Sequence, residues 1–381
     1  MNLTIDILSF INSHSEKDFE PYYLYDINII RQNCRKFQNI PYQNKEIHFA
    51  SMANVNPNFL QIVKEEKVKV FVNSTMHLQS VQQAGFRKSE IIFTSSALSE
   101  KTMKFVESCE VQINLDSLKQ LELWQKLFPE KSVGIRVNIG DEVKPFSTRA
   151  GFFIGKESRL GFNMQDINMI KDKSKIKGLH LYVGTDVFDI NYFIDCYKEL
   201  IKIASFFPNL EYLNFGGGFG VSENGKQKFD FPEYYLRVTN LMNEVSEKYG
   251  KSMKLIVEPG RIIGGEAGYF VCNVTDIKRR ENKRLIGLNA STVQFTRPLI
   301  YPGTAKHPAI IIRNGNILDS QQKYNSTVYG CSTYSRDIFS EAVNLPELEI
   351  GDIIVFGIAG SYLASSYCQF LGFPKPDEYF L

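Results

Sequence analysis

The chain has 381 residues, of which 43% are hydrophobic and 23% charged, with a formal net charge of +2. That length accommodates one large domain and a smaller one, each with its own core, and the composition is ordinary for a globular protein. A charge this close to balance excludes a general pull toward nucleic acid or an anionic membrane, and no run approaches the ~18 apolar residues of a membrane helix.

The first twenty residues, MNLTIDILSFINSHSEKDFE, lack a basic start and do not read as a signal peptide. Short apolar stretches then recur: KEIHFAS (45–51), VKVFVNS (68–74), EIIFTS (90–95), EVQINLD (110–116), SVGIRVNI (132–139), KIKGLHLYVG (175–184), LEYLNFGG (210–217) and MKLIVEPG (253–260). Helical patterns fall between them at 56–66, 99–108, 116–128, 189–207 and 232–250. Eight strands alternating with helices predict a parallel (β/α)8 TIM barrel. The run KDKSKIK (171–177) reads as a solvated helix end. Beyond residue 265 the pattern becomes β-rich with polar turns such as RNGN, which predicts a mostly antiparallel C-terminal β-sheet domain, sandwich- or barrel-like. The expected boundaries are 22–265 for the barrel, with 1–21 and 266–381 forming the β-rich domain.

In such a barrel the chemistry gathers where strands end. NFGGGFG (214–220) places three glycines at one strand end, where backbone N–H groups can approach a phosphate or simply make a tight turn. EPGR (258–261) follows the next strand and directs Glu258 and Arg261 from one turn. A carboxylate can pair with a protonated ring nitrogen and a guanidinium with a phosphate; an ion pair that merely braces the turn is the plainer reading. The six cysteines are scattered without a CxxC pair or histidines at ligand spacing, which suits reduced thiols in a cytoplasm and no metal site.

These segments resemble, in order and spacing, the fold-type III pyridoxal-phosphate-dependent amino-acid decarboxylases, which include ornithine, diaminopimelate and carboxynorspermidine decarboxylases. The resemblance begins at PYYLYDINIIRQN, runs through SVGIRVN, SRLGF, GLHLYVG, YLNFGGGFG and VEPGR, and ends at GSYLASSYCQFLGFPKP. The stretch from SALSEKTMKFV through SRLGF is most like the carboxynorspermidine type, and TRPLIYP (296–302) is more like the diaminopimelate type. The resemblance implies that Gly216, Gly217 and Gly218 with Arg261 hold the cofactor phosphate, that Thr185 and Tyr362 touch the same group, and that Glu258 pairs with the pyridine nitrogen. It further implies that Arg297 and Tyr301 grip a substrate carboxylate. The partner is then a small amino-acid substrate, or conjugate, with a second carboxylate, and the protein a homodimer with shared active sites. The β-rich domain would complete each site.

At the reactive positions the chain departs from that pattern. Met52, in HFASMAN, stands where the family has the lysine that binds the cofactor. Tyr182 replaces a histidine that stacks on the cofactor ring, and a flat aromatic can still stack there. Thr333 and Tyr334 fall where a cysteine and an acid reach in from the partner subunit, with Cys331 two residues away. Without an acid at Tyr334 a simple diamine-type substrate is disfavoured. A thioether neither tethers an aldehyde nor carries a proton, and losing such a group costs ~10²–10⁴-fold in rate. Several readings stay open: decarboxylase-type chemistry without the tether, a non-catalytic binding paralogue, an engineered lysine-to-methionine variant, or another lysine, such as Lys45 or Lys177, reaching the cofactor.

Overall fold

The computed structural model describes residues 3–15, 19–145, 150–223, 225–281 and 283–381. The chain folds as two units: Arg31–Gly220 with Lys228–Ile262, and the N-terminal residues to Ile30 with Val221–Gln227 and Ile263–Leu381.

The first unit is a closed parallel barrel. After β1 (Tyr22–Tyr25), which belongs to the other unit, its strands are β2 (Lys45–Ala50), β3 (Lys69–Val72), β4 (Ile91–Thr94), β5 (Gln112–Leu115), β6 (Val133–Arg136), β7 (Ile176–His180), β8 (Tyr212–Asn214) and β9 (Lys254–Val257). All eight expected strands are present, and β2 pairs with β9 to close the ring. Helices start where a short polar side chain can take an otherwise unsatisfied N–H: Asn56, Ser74, Ser99, Ser117, Asp189 and Asp230 each cap the helix that follows a barrel strand. Outside the five expected ranges the described residues also form the helices Ile5–His14, Ile27–Gln38, Thr75–Gln83 and Met164–Met169 and the short Arg261–Gly264 and Arg297–Ile300. KDKSKIK is not a helix end. Lys173–Lys175 form a short 3-10 turn that runs into β7, where Lys177 lies.

Inward side chains follow the two-residue period of the strands. Ile92, Tyr212 and Ile256 cluster inside the barrel, with Asn114 accepting a 2.7 Å hydrogen bond from the Tyr212 hydroxyl. Gly134 and Gly178 leave room for that ring: a Cβ at Gly178 would lie 1.8 Å from it and one at Gly134 2.0 Å from its hydroxyl. Two residues further along each strand come Asp116, Arg136, His180, Asn214 and Glu258. The interior thus pairs Tyr212 with Ile92, Ile256 and Asn114 and carries charged groups toward the carboxyl ends.

The second unit is built on one nine-stranded sheet. Its strands are β1, β10 (Gly268–Arg280), β11 (Lys283–Leu288), β12 (Ala309–Arg313), β13 (Asn316–Ile317), β14 (Tyr324–Tyr329), β15 (Ile338–Leu345), β16 (Ile353–Phe356) and β17 (Asp377–Phe380). Pairing is mostly antiparallel, except that β1 runs parallel to β17 and β11 to β14. The barrel expected from residue 22 therefore leaves out 22–25: this fully buried strand hydrogen-bonds to β10 and β17 in the sheet. Ile7 and Ile11 of the helix Ile5–His14 pack with Tyr22, Leu24, Tyr269, Val271, Ile312 and Val355.

Candidate active site

In the barrel unit the structure gathers the expected residues at the carboxyl ends of β2, β7, β8 and β9. Met52 lies in the 3-10 turn Ser51–Ala53 that ends β2. The N–H of Ala50 donates to Pro259 O at 3.0 Å, which ties that turn to the Glu258–Arg261 turn. Gly216, Gly217 and Gly218 are packed backbone to backbone. A Cβ on each would stand 2.2 Å from Leu181 O, 2.4 Å from Glu258 O and 2.5 Å from Gly184 O respectively. Gly216 and Gly218 also have φ of +62° and +105°, so close approach and handedness both require glycine here. Tyr182 lies near Gly217, its Cε2 3.6 Å from where a Cβ would be. Its hydroxyl is 3.1 Å from Thr185 Oγ1, and its ring meets Phe153 edge-on at 4.6 Å.

Glu258 is 3% exposed. Its Oε1 accepts from Asn214 Nδ2 at 2.6 Å, and its Oε2 lies 3.1 Å from His180 Nε2. Burial alone would raise its pKa, but the pull of His180 and the hydrogen bonds from His180 and Asn214 outweigh it and hold the carboxyl below its ordinary value. Arg136, its side chain 13% exposed, stands 3.9 Å from Asp116, and burial lowers its pKa. His180 Nδ1 and Arg136 Nη2 are buried with no hydrogen-bond partner among the described residues. Buried polar atoms of this kind are normally satisfied. An ionised carboxylate, two such donor-capable nitrogens, a glycine turn and Arg261 make a donor set that fits a phosphorylated, nitrogen-containing ring. Arg261 itself pairs with Asp186.

The other expected residues lie in the second unit. Arg297, 4% exposed, opens the short helix Arg297–Ile300, and its guanidinium carbon is 5.5 Å from the centre of the Tyr301 ring. Its Nη2 donates to Glu223 Oε1 at 2.8 Å, and Glu223 Oε2 accepts from the N–H of Lys306. Cys331 and Thr333 are exposed on the loop after β14. Tyr334 meets Phe370 edge-on at 5.6 Å. Tyr362 follows β16 with φ +56°, a left-handed conformation uncommon outside glycine.

Lys45 and Lys177 do not replace Met52. Lys45 begins β2, five residues before its end, and Lys177 is the second residue of β7, pairing with Glu211. At about 3.3 Å per residue both stand well below the carboxyl ends of their strands. The sequence reading passed over His180, Asn214, Arg136, Asp186 and Glu223. The first three end apolar runs whose sequence does not mark which residues turn inward; Asp186 and Glu223 sit on irregular loops, where no period marks them.

A parallel barrel with a glycine turn, a buried glutamate and a buried arginine at adjoining strand ends defines a class of α/β protein whose donor set fits a phosphorylated ring. The match to a family model narrows that class. Residues 27–265 match the model for the pyridoxal-binding domain of pyridoxal-dependent decarboxylases, and the chain belongs to that family. It is 26% identical to a diaminopimelate decarboxylase of Buchnera aphidicola from Schizaphis graminum, over 95% of this chain and 88% of that protein. It is 27% identical to one of Methanothermobacter thermautotrophicus, over 94% and 86%. Among solved structures, Helicobacter pylori diaminopimelate decarboxylase complexed with L-lysine superposes with a TM-score of 0.86 at 24% identity, covering 98% of this chain and 93% of that one. The Vibrio vulnificus lysine/ornithine decarboxylase complexed with cadaverine gives 0.83 at 19% identity over the full length of both. These likenesses carry the fold.

Proposed function

We propose that the protein is a pyridoxal-phosphate-dependent lyase of the amino-acid decarboxylase type, which holds its cofactor without a lysine tether and acts on an amino acid or amino-acid conjugate bearing a second carboxylate. The observation that carries this is Glu258, kept ionised by His180 and Asn214 beside the glycine turn. Gly216, Gly217, Gly218, Thr185 and Arg261 would hold the phosphate, Tyr182 would lie against the ring, and Glu258 would keep a proton on the ring nitrogen. When bound, the cofactor supplies an electron sink for bond cleavage at the substrate α-carbon. Met52 offers no proton and no bond, so turnover is expected to fall ~10²–10⁴-fold below that of a tethered relative. A purely non-catalytic role is the weaker reading, because it gives no account of a buried carboxylate maintained in its charged form.

Arg297 and Tyr301 keep the substrate-carboxylate role that the resemblance gives them, with Glu223 as the counter-ion of Arg297 in the ligand-free protein. Arg297→Ala should weaken binding of a dicarboxylic amino acid by about 2 kcal/mol, roughly 30-fold, and leave cofactor affinity unchanged. Equal effects on both, or none, would remove the second carboxylate from the reading.

No helix among the described residues is long and apolar enough to cross a membrane. Scattered cysteines without a CxxC pair support a cytoplasmic location. We also propose a homodimer. Its support is the exposed Cys331–Thr333 loop and the exposed Phe370 (53%) and Leu371 (37%) beside Tyr334. Sedimentation should give twice the 43.6 kDa chain mass; the single mass would refute it.

A further inference from the structure

Arg261, the residue given above to a phosphate, already carries an anion. Its Nη1 pairs with the Asp186 carboxylate, in a setting where the arginine side chain is 6% and the aspartate side chain 21% exposed. The loop that brings Asp186 there is pinned to the glycine turn. Val187 N–H donates to Gly218 O at 2.9 Å, Gly220 N–H donates to Val187 O at 2.9 Å, and Gly184 O leaves no space for a Cβ on Gly218. Asp186 itself adopts φ +57°, a left-handed conformation that Asp tolerates better than most residues. Loop ends of β7, β8 and β9 thus converge so that a carboxylate, and not open space, meets the guanidinium.

A guanidinium this buried is strongly disfavoured without a counter-ion, so Asp186 serves the ligand-free protein. The same carboxylate opposes a second anion: two negative groups sharing one guanidinium repel each other at close range in a poorly solvated pocket.

We propose that Asp186 is an internal counter-ion occupying the anion position of Arg261, and that a phosphate binds there by displacing it. The inference rests on the proposed function for assigning a phosphate to Arg261. It adds that this chain's affinity for a phosphorylated ligand is set by competition with its own carboxylate. No covalent step is involved; one anion replaces another at Nη1, and Asp186 turns toward solvent.

The test is calorimetric titration of the full-length protein and of Asp186→Asn with three probes: inorganic phosphate, pyridoxal phosphate, and pyridoxal without a phosphate. Asp186→Asn should bind both phosphate-bearing probes about tenfold tighter, the size expected for removing one like charge at short range, with pyridoxal affinity unchanged. Asp186→Gly, which suits the left-handed backbone, should show the same gain and guards against misfolding of the first variant; circular dichroism checks that each is folded. If the unsubstituted protein binds pyridoxal phosphate and neither variant gains, the inference is overturned and the proposed function stands. A gain for inorganic phosphate with no response to pyridoxal phosphate upholds the inference and removes the cofactor. Absence of phosphate binding by all three proteins overturns the inference.

Discussion

At Glu258 burial and pairing act against each other, and pairing wins. The carboxyl lies at the polar end of the barrel interior, where leaving water favours its neutral form, yet His180 and Asn214 hold it charged. Its folded pKa is therefore below the ordinary carboxyl value. The sign follows: a carboxyl depressed on folding contributes stability that is fully present above the unfolded value and is lost as pH falls through the folded one. Glu258→Gln should lower stability by about 2 kcal/mol at neutral pH, with the difference from the unsubstituted protein shrinking below about pH 4. Denaturant melts across pH would measure it; a difference constant with pH would mean that the carboxyl is not ionised in the fold. Met52 is the contrasting residue. Its identity was plain in the sequence, and the structure adds that it ends β2 beside the Glu258–Arg261 turn, with no lysine of β2 or β7 placed to stand in for it.

Strand ends carry the site, and they were the most readable elements. Each of the eight apolar stretches became a barrel strand, because a strand enclosed in a parallel barrel needs continuous burial that short apolar runs announce. What those runs did not announce was which residues turn inward. The small-for-large exchange of Gly134 and Gly178 against Tyr212 depends on residues ~35–80 positions apart meeting across the barrel, which no local pattern encodes. The triple glycine was legible as a special turn, but for an incomplete reason. Its glycines are demanded first by neighbouring carbonyls, and only then available to a ligand. Gly216→Ala places a Cβ 2.2 Å from Leu181 O at a φ of +62°, and should cost about 3 kcal/mol of stability. A thermal melt within a degree or two of the unsubstituted protein would show that the turn relaxes freely.

Over the whole molecule, two buried arginines expected to meet ligand anions each hold an internal carboxylate: Asp186 on Arg261 in the barrel unit, and Glu223 on Arg297 in the sheet unit. Both carboxylates lie on loops, and neither was legible in the sequence, since an ion pair between distant loops leaves no periodic trace. The sheet unit was legible as β-rich and mostly antiparallel, and the turn RNGN does join β12 to β13 with Asn314 and Gly315 at positive φ. That β1, far upstream, completes that sheet beside β17 was not, because the pairing spans nearly the entire chain.

The central claim is a pyridoxal-phosphate pocket without a lysine tether. Its most direct test is the absorbance spectrum of the purified protein with added pyridoxal phosphate, followed by borohydride reduction and peptide mapping, alongside Met52→Lys. The account predicts bound cofactor with no labelled lysine in the chain carrying Met52 and a label at position 52 in the substituted one. A label on another lysine of the Met52 chain, or no cofactor bound by either protein, would contradict it.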